Sequence, residues 1–101
     1  MNENLVFDFK DLSNNAKQQL IKLLALYLRT VEDNERVEIK MIIQLKEIKR
    51  CTMKINLVNP TIQDITSDKF TIFSWDTGRK KIFEYEDIDQ ISLTTKSKYA
   101  L

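Results

Sequence analysis

Residues 36–58 read RVEIKMIIQLKEIKRCTMKINLV, and the periodicity of this stretch decides the fold. A helix would place positions 37, 41, 45 and 48 in one apolar stripe. A strand explains more, because every odd position from 37 to 45 is apolar and only Ile42 is out of phase among the even ones. Alternate residues line one face of a strand, and the stretch is rich in β-branched side chains. It therefore predicts a strand over about 36–46.

The alternation stops after that strand and resumes at Cys51, which predicts a second strand over about 50–58. The interruption is either a hairpin turn without glycine or a bulge in one long bent strand. On this phase Cys51 lies with Met53 on the buried face and is a structural cysteine. The neighbouring Lys49 and Arg50 leave a reactive thiolate as the alternative.

Upstream, the pattern is helical. Ser13 is the expected N-cap of a helix over about 14–32, whose apolar residues fall at 16, 20, 23, 24, 27, 28 and 31. This spacing puts Lys17, Lys22 and Arg29 on the opposite, solvent-exposed face. Before the helix, LVFDF (residues 5–9) is a short strand or an apolar arm.

Downstream, Asn59 and Pro60 open a polar stretch, 59–68, which is expected to be a loop. Strands are predicted over about 69–75, 79–85 and 90–95, with one short helical turn before the last. The triplet Asp-Thr-Gly at 76–78 is expected to be a hairpin turn that uses the only glycine of the chain, Gly78.

These elements predict one α+β domain over residues 1–101. Its N-terminal amphipathic helix packs on a roughly five-stranded antiparallel sheet, or on a small barrel of the Sm/SH3 type, because the helix is the only large partner for the apolar face of the sheet.

Composition excludes several kinds of chemistry. The 101 residues contain no histidine and one cysteine, so neither a Ser-His-Asp nor a Cys-His arrangement can be built within the chain. The Asp-Thr-Gly triplet is also that of aspartic proteases, but its basic neighbours do not suit a buried carboxylate pair. The acids at 84, 86, 87 and 89 lack the spacing of a calcium loop. We expect no enzyme activity, no cofactor and no metal.

Charge is distributed unevenly, although the net charge is only +1. Residues 36–58 carry six basic and two acidic side chains, and a second basic run follows Trp75. If the two basic clusters met beside Trp75, they would form a stacking and phosphate-binding surface for nucleic acid. An exposed tryptophan suits a protein partner or a homo-oligomer equally well. The candidate binding residues are Trp75, Arg79, Lys80, Lys81, Lys46, Lys49, Arg50 and Lys54.

Neither a secretory signal nor an apolar run of membrane-spanning length is visible, so a cytoplasmic location and no membrane partner are expected. The richness in Lys, Ile and Asn is typical of low-GC bacteria, their phages and plasmids.

Residues 37–93 resemble the Sm-like β-barrels, and among them the YolD-like family. The resemblance rests on VEIKMIIQL, TMKINLVNP, FTIFSW and the closing KKIFEYEDIDQISL, with matching residues at Ile82, Phe83, Asp87, Ile88 and Ile91. Sm-like proteins usually carry a glycine in the second strand, where this chain has Thr52 and Met53. The resemblance implies a small barrel. YolD-like proteins are linked with DNA-damage polymerases as accessory factors, which implies a protein-binding regulator rather than an enzyme.

Overall fold

A computed structural model describes residues 3–32, 37–75 and 77–97. In these ranges it contains one α-helix, α1 (Asn14–Glu32), and a short 3-10 turn, η1 (Tyr85–Asp87). The strands are β1 (Glu3–Asp8), β2 (Val37–Leu45), β3 (Lys54–Val58), β4 (Pro60–Gln63), β5 (Lys69–Ser74), β6 (Arg79–Glu84) and β7 (Ile88–Ser97). The predicted α+β class is confirmed. The described ranges hold seven strands instead of about five.

The strands form two antiparallel sheets. One has the order β1-β7-β2-β3 and the other the order β4-β5-β6. In the first sheet Met41 of β2 lies opposite both Leu93 and Leu57, and all three side chains are buried. The alternation that predicted β2 is therefore the alternation between core and solvent, since Ile39 and Ile43 are buried as well.

The interruption between β2 and β3 is a hairpin turn. Lys49 and Arg50 both take positive φ, 51° and 64°, and the flanking Ile48 and Cys51 exchange two backbone hydrogen bonds of 3.0 and 2.9 Å. Two successive positive φ values are those of a type I′ turn, which matches the twist of its strands without glycine. The predicted burial of Cys51 is wrong. The thiol is exposed because it belongs to this protruding hairpin end, before the paired strand begins.

The chain passes from one sheet to the other at Asn59. Its φ is 48°, its backbone N–H donates to the Ile39 carbonyl at 2.8 Å, and its Oδ1 accepts from the Ile39 N–H at 3.0 Å. The next residues form β4, so the prediction of a loop throughout 59–68 is wrong for 60–63. Pro60 is tolerated because it is the first residue of a strand and lies opposite Ser74.

Helix α1 has the predicted bounds, and the Ser13 hydroxyl accepts from the Ala16 N–H at 3.2 Å as expected of an N-cap. The predicted apolar face is partly wrong. Leu23 is 61% exposed, whereas Lys17 is only 5% exposed, against the prediction that Lys17 faces solvent. The core-facing stripe is rotated, and its buried members are Lys17, Ile21, Leu24, Ala25 and Leu28.

A core common to both sheets and the helix includes Phe9, Ile62, Phe70 and Tyr85. Among the described strands no pairing joins β3 to β6, so the barrel alternative is not confirmed. None of the helical segments in the described ranges combines the length and the apolar character that crossing a bilayer requires.

Candidate binding surface on the three-stranded sheet

The outward face of the three-stranded sheet carries an apolar patch. Along β5, Phe70, Ile72 and Ser74 are buried, so Phe73 between the last two points outward. On β6, Lys80 lies opposite Phe73, and Ile82 lies opposite Thr71 on the same face. We call Phe73, Trp75, Lys80 and Ile82 the outer patch.

Trp75 follows β5 and is held against its outward face. The Phe73 and Trp75 rings meet edge to face, with centroids 4.8 Å apart and planes at 89°. The indole Nε1–H donates to the hydroxyl of Thr61, opposite Phe73 on β4, at 2.8 Å. Despite these two contacts, 59% of Trp75 is exposed, which agrees with the exposed position expected from the sequence. The indole is therefore held in one orientation while most of its surface stays exposed.

Ile82 extends the patch across β6. It is 67% exposed although it occupies a regular strand position. Large aliphatic side chains at this exposure are common singly, but here one lies diagonally across the strand pair from Phe73, a half-buried phenylalanine whose ring contacts Trp75. Ile82, Phe73 and Trp75 thus form a row of partly or largely exposed apolar side chains on this face of the sheet. The sequence pointed to Trp75 and Lys80 but not to Ile82. The residues next to Ile82 in the sequence do not show which face of the sheet stays uncovered in the fold.

The basic run 79–81 is divided between two places. Lys80 belongs to the outer patch. Arg79 and Lys81 lie opposite Ser74 and Ile72, whose side chains point to the core, so these two cations lie on the inward side of an edge strand. There they line a groove between β3 and β6.

The second basic cluster lies toward the other end of this groove. Lys46 pairs with Asp87, its Nζ 3.2 Å from the carboxylate. Lys49 and Arg50 form the exposed hairpin turn, and Lys54 begins β3. The structure brings Lys46 to Asp87 but does not gather all eight candidate residues on one face.

The groove between β3 and β6 has two parts, and Lys81 lines both of them. The larger, about 480 Å³, is lined by Leu45, Ile55, Lys81, Ile82, Phe83, Glu84 and Asp87. The smaller, about 200 Å³, is lined by Asn56, Leu57, Val58, Ser74, Thr77, Arg79 and Lys81. The sequence contained no signal for this groove, because it depends on two strand edges that are 20 or more residues apart in the chain.

Below the groove, Tyr85 is buried with its hydroxyl donating to the Thr66 carbonyl at 2.7 Å. Burial, and then the negative charge of Asp68, raise the pKa of Tyr85 above its usual value of 10.0. The neutral phenol is thus the form that the fold requires. This group is structural, since its ring stacks on Phe70 at 5.5 Å.

Other chemistry finds little support in the described parts of the chain. Within them no three Cys, Asp or Glu side chains are grouped closely enough to hold a metal ion. Of the Asp-Thr-Gly triplet, Asp76 lies outside the described residues, and Gly78 has φ 68°, as its predicted turn role requires.

Compared with protein-family models, with curated proteins and with solved structures, the chain gives no match.

Proposed function

We propose that the protein is a small non-enzymatic binding module that docks a partner protein on its outer patch. The observation that carries the proposal is the pair of Trp75 and Ile82, which are 59% and 67% exposed on one uncovered sheet face. Tryptophan in a fixed orientation is the side chain most enriched among residues that dominate protein interfaces. The partner contributes apolar side chains for the patch and a carboxylate for Lys80.

The distribution of charge favours a protein over nucleic acid for this surface. A nucleic-acid groove combines stacked aromatic rings with several cations along one path. The outer patch has one cation, Lys80, whereas Arg79 and Lys81 lie on the inward side of β6. Nucleic-acid binding by the basic clusters remains the alternative function, and it makes a different prediction about salt.

The resemblance of residues 37–93 to YolD-like and other Sm-like proteins is consistent with an accessory role. In that proposal the two sheets correspond to an SH3-type barrel that is open between β3 and β6. The protein would then be a cytoplasmic regulator in a low-GC bacterium, or one encoded by a phage or plasmid. Neither the partner proposal nor its test depends on this setting.

The test compares retained proteins from three forms of the tagged chain. The variant W75S/I82S removes the outer patch, and V6S is the matched control, because Val6 is 57% exposed on β1 of the other sheet. After brief chemical crosslinking in cells, wild type and V6S should retain the same protein, and W75S/I82S should lose it. Retention of that protein by W75S/I82S would contradict the proposal.

Two measurements on the purified chain separate the remaining possibilities. Sedimentation at increasing concentration detects a second copy as the partner, since the apparent mass then rises with wild type and not with W75S/I82S. Fluorescence anisotropy of labelled oligonucleotides detects the alternative function. Binding that falls steeply with salt and is lost in K80E/K81E would replace a protein partner with nucleic acid.

A further inference from the structure

We propose that the groove between β3 and β6 binds an extended peptide segment, carrying a carboxylate near one end, as an added β-strand. This inference goes beyond the outer patch. It concerns the unpaired edges of the two sheets. Ile82 borders both sites, so the single variant W75S, which alters only the outer patch, separates the two tests.

The backbone of β3 directs hydrogen-bonding groups away from β2 and toward the groove. Leu45 N–H donates to the Met53 carbonyl at 2.9 Å, and Asn59 N–H donates to the Ile39 carbonyl at 2.8 Å. In an antiparallel ladder, alternate residues bond to the same neighbour, so the odd-numbered residues of β3 face β2. The even-numbered residues Lys54, Asn56 and Val58 then direct their N–H and C=O groups away from β2. The Val58 carbonyl confirms this direction, because it accepts the Ser74 hydroxyl of the second sheet at 3.0 Å.

The backbone of β6 does the same from the opposite side. Tyr85 N–H donates to the Asp68 carbonyl at 3.1 Å, which sets the phase of the β5–β6 ladder. The residues bonded to β5 are then 79, 81 and 83. The N–H and C=O groups of Lys80, Ile82 and Glu84 point away from β5, and β6 is the edge of its sheet.

Two unpaired edges therefore border one groove. Among the described residues no backbone hydrogen bond joins β3 to β6. Ile55 lines the groove together with Phe83 and Glu84, and Val58 lines it together with Arg79, so the two strands run antiparallel along it. An unpaired edge is the template on which extended peptides add as a strand.

The lining defines the side chains of the occupant. In the larger part of the groove, Leu45, Ile55 and Phe83 provide apolar surface beside the carboxylates of Glu84 and Asp87. In the smaller part Arg79 and Lys81 make no ion pair with any carboxylate that the structure describes. The matching segment has apolar side chains at alternate positions and an acidic residue that reaches these two cations.

The same edges argue against nucleic acid in this groove. Strand edges offer donors and acceptors in alternation, as another peptide backbone does. The phosphates of a nucleic acid are acceptors only, so a phosphate backbone along these edges would not satisfy the carbonyls of Asn56 and Ile82.

The experiment selects binders from a displayed library of random extended peptides, with the full chain as target. The strongest peptide is then labelled and its affinity measured by fluorescence anisotropy. We expect acidic peptides with alternating apolar residues. In amide hydrogen exchange, the peptide should slow the amides of Asn56 and Ile82, whereas the amides of Leu57 and Lys81 are already protected by their own ladders.

Matched variants test the backbone and charge contributions separately. I82P removes the N–H that faces the groove, and I82A keeps it while removing the same side chain. The peptide should bind I82P about tenfold more weakly than I82A. This is the largest effect expected from the loss of one hydrogen bond between uncharged groups. R79E/K81E should weaken binding at least comparably, and W75S should leave it unchanged.

Three results would overturn the inference: no enrichment of peptides, equal affinity for I82P and I82A, or protection that falls on amides outside the groove. Protection of the Asn56 and Ile82 amides that rises with protein concentration alone would assign the groove to a second copy instead. Circular dichroism of I82P confirms that the sheet is retained. If I82P loses the sheet, a backbone N-methylated version of the selected peptide is tested against the wild type instead. Undiminished affinity of that peptide would overturn the inference.

Discussion

The Nζ atom of Lys17 lies 2.8 Å from the carbonyl oxygen of Tyr85 and 3.2 Å from that of Ile88. A lysine that is 5% exposed thus joins the start of α1 to the turn η1 between β6 and β7, with no carboxylate as its described hydrogen-bond partner. The ammonium is stabilised by these carbonyl dipoles, because a buried charge needs hydrogen bonds in place of water. This contact lies on the same face of α1 as the buried Ile21, Leu24 and Leu28.

Replacing Lys17 by Met should destabilise the fold. The aliphatic stem is kept, but two buried carbonyl groups lose their donor, so we expect a loss of about 2–3 kcal/mol in the free energy of unfolding. Urea denaturation measures it, and K22M is the matched control because Lys22 is exposed on the same helix. Equal stability of K17M and K22M would show that the hydrogen bonds contribute nothing.

Replacing Tyr85 by Phe should change how stability depends on pH. The pKa of Tyr85 is raised in the folded state, so at alkaline pH the unfolded chain loses the phenolic proton first. The stability of the wild type then falls as pH rises from about 10 toward the higher folded pKa, and this component is absent in Y85F. We expect Y85F to cost about 1 kcal/mol near neutral pH and less at alkaline pH. Parallel stability curves for the two proteins would contradict this.

Asn59 should tolerate glycine better than alanine. Its φ of 48° is unfavourable for residues with a Cβ, and its side chain accepts the Ile39 N–H. N59A loses both the hydrogen bond and the tolerance of positive φ, so its free energy of unfolding should fall by about 2 kcal/mol. N59G loses chiefly the hydrogen bond, so the fall should be about 1 kcal/mol. Thermal denaturation of the pair measures the difference. The reverse order would mean that the corner does not depend on its backbone conformation.

Trp75 should contribute little to stability for its size. W75A loses one edge-to-face ring contact and an exposed hydrogen bond, so its free energy of unfolding should fall by about 1 kcal/mol. F70A removes a fully buried ring that stacks on Phe83 and Tyr85, and about 3–5 kcal/mol is expected. As the only tryptophan, Trp75 should also be readily quenched by acrylamide in the native protein. A blue-shifted, unquenched emission would place the indole in an interior.

The sequence predicted the elements with strong local signals. The Ser13 cap and the apolar spacing set the bounds of α1, and strict alternation set β2. The failures were non-local. Burial of Lys17 depends on carbonyl groups 68 and 71 residues away, and the short β4 begins with a proline that locally indicates a loop. The outer patch was found only in part, because exposure of Ile82 depends on which sheet face the rest of the chain covers.

The central claim is that the outer patch binds a protein, and site-specific photocrosslinking tests it most directly. A photoreactive amino acid replaces Lys80 of the outer patch in one form and Lys40 in the other, Lys40 being an exposed position on the outward face of β2 in the other sheet. After irradiation in cells, the account predicts a discrete protein adduct from position 80 and none from position 40. An adduct with nucleic acid, the same adducts from both positions, or no adduct from position 80 would contradict it.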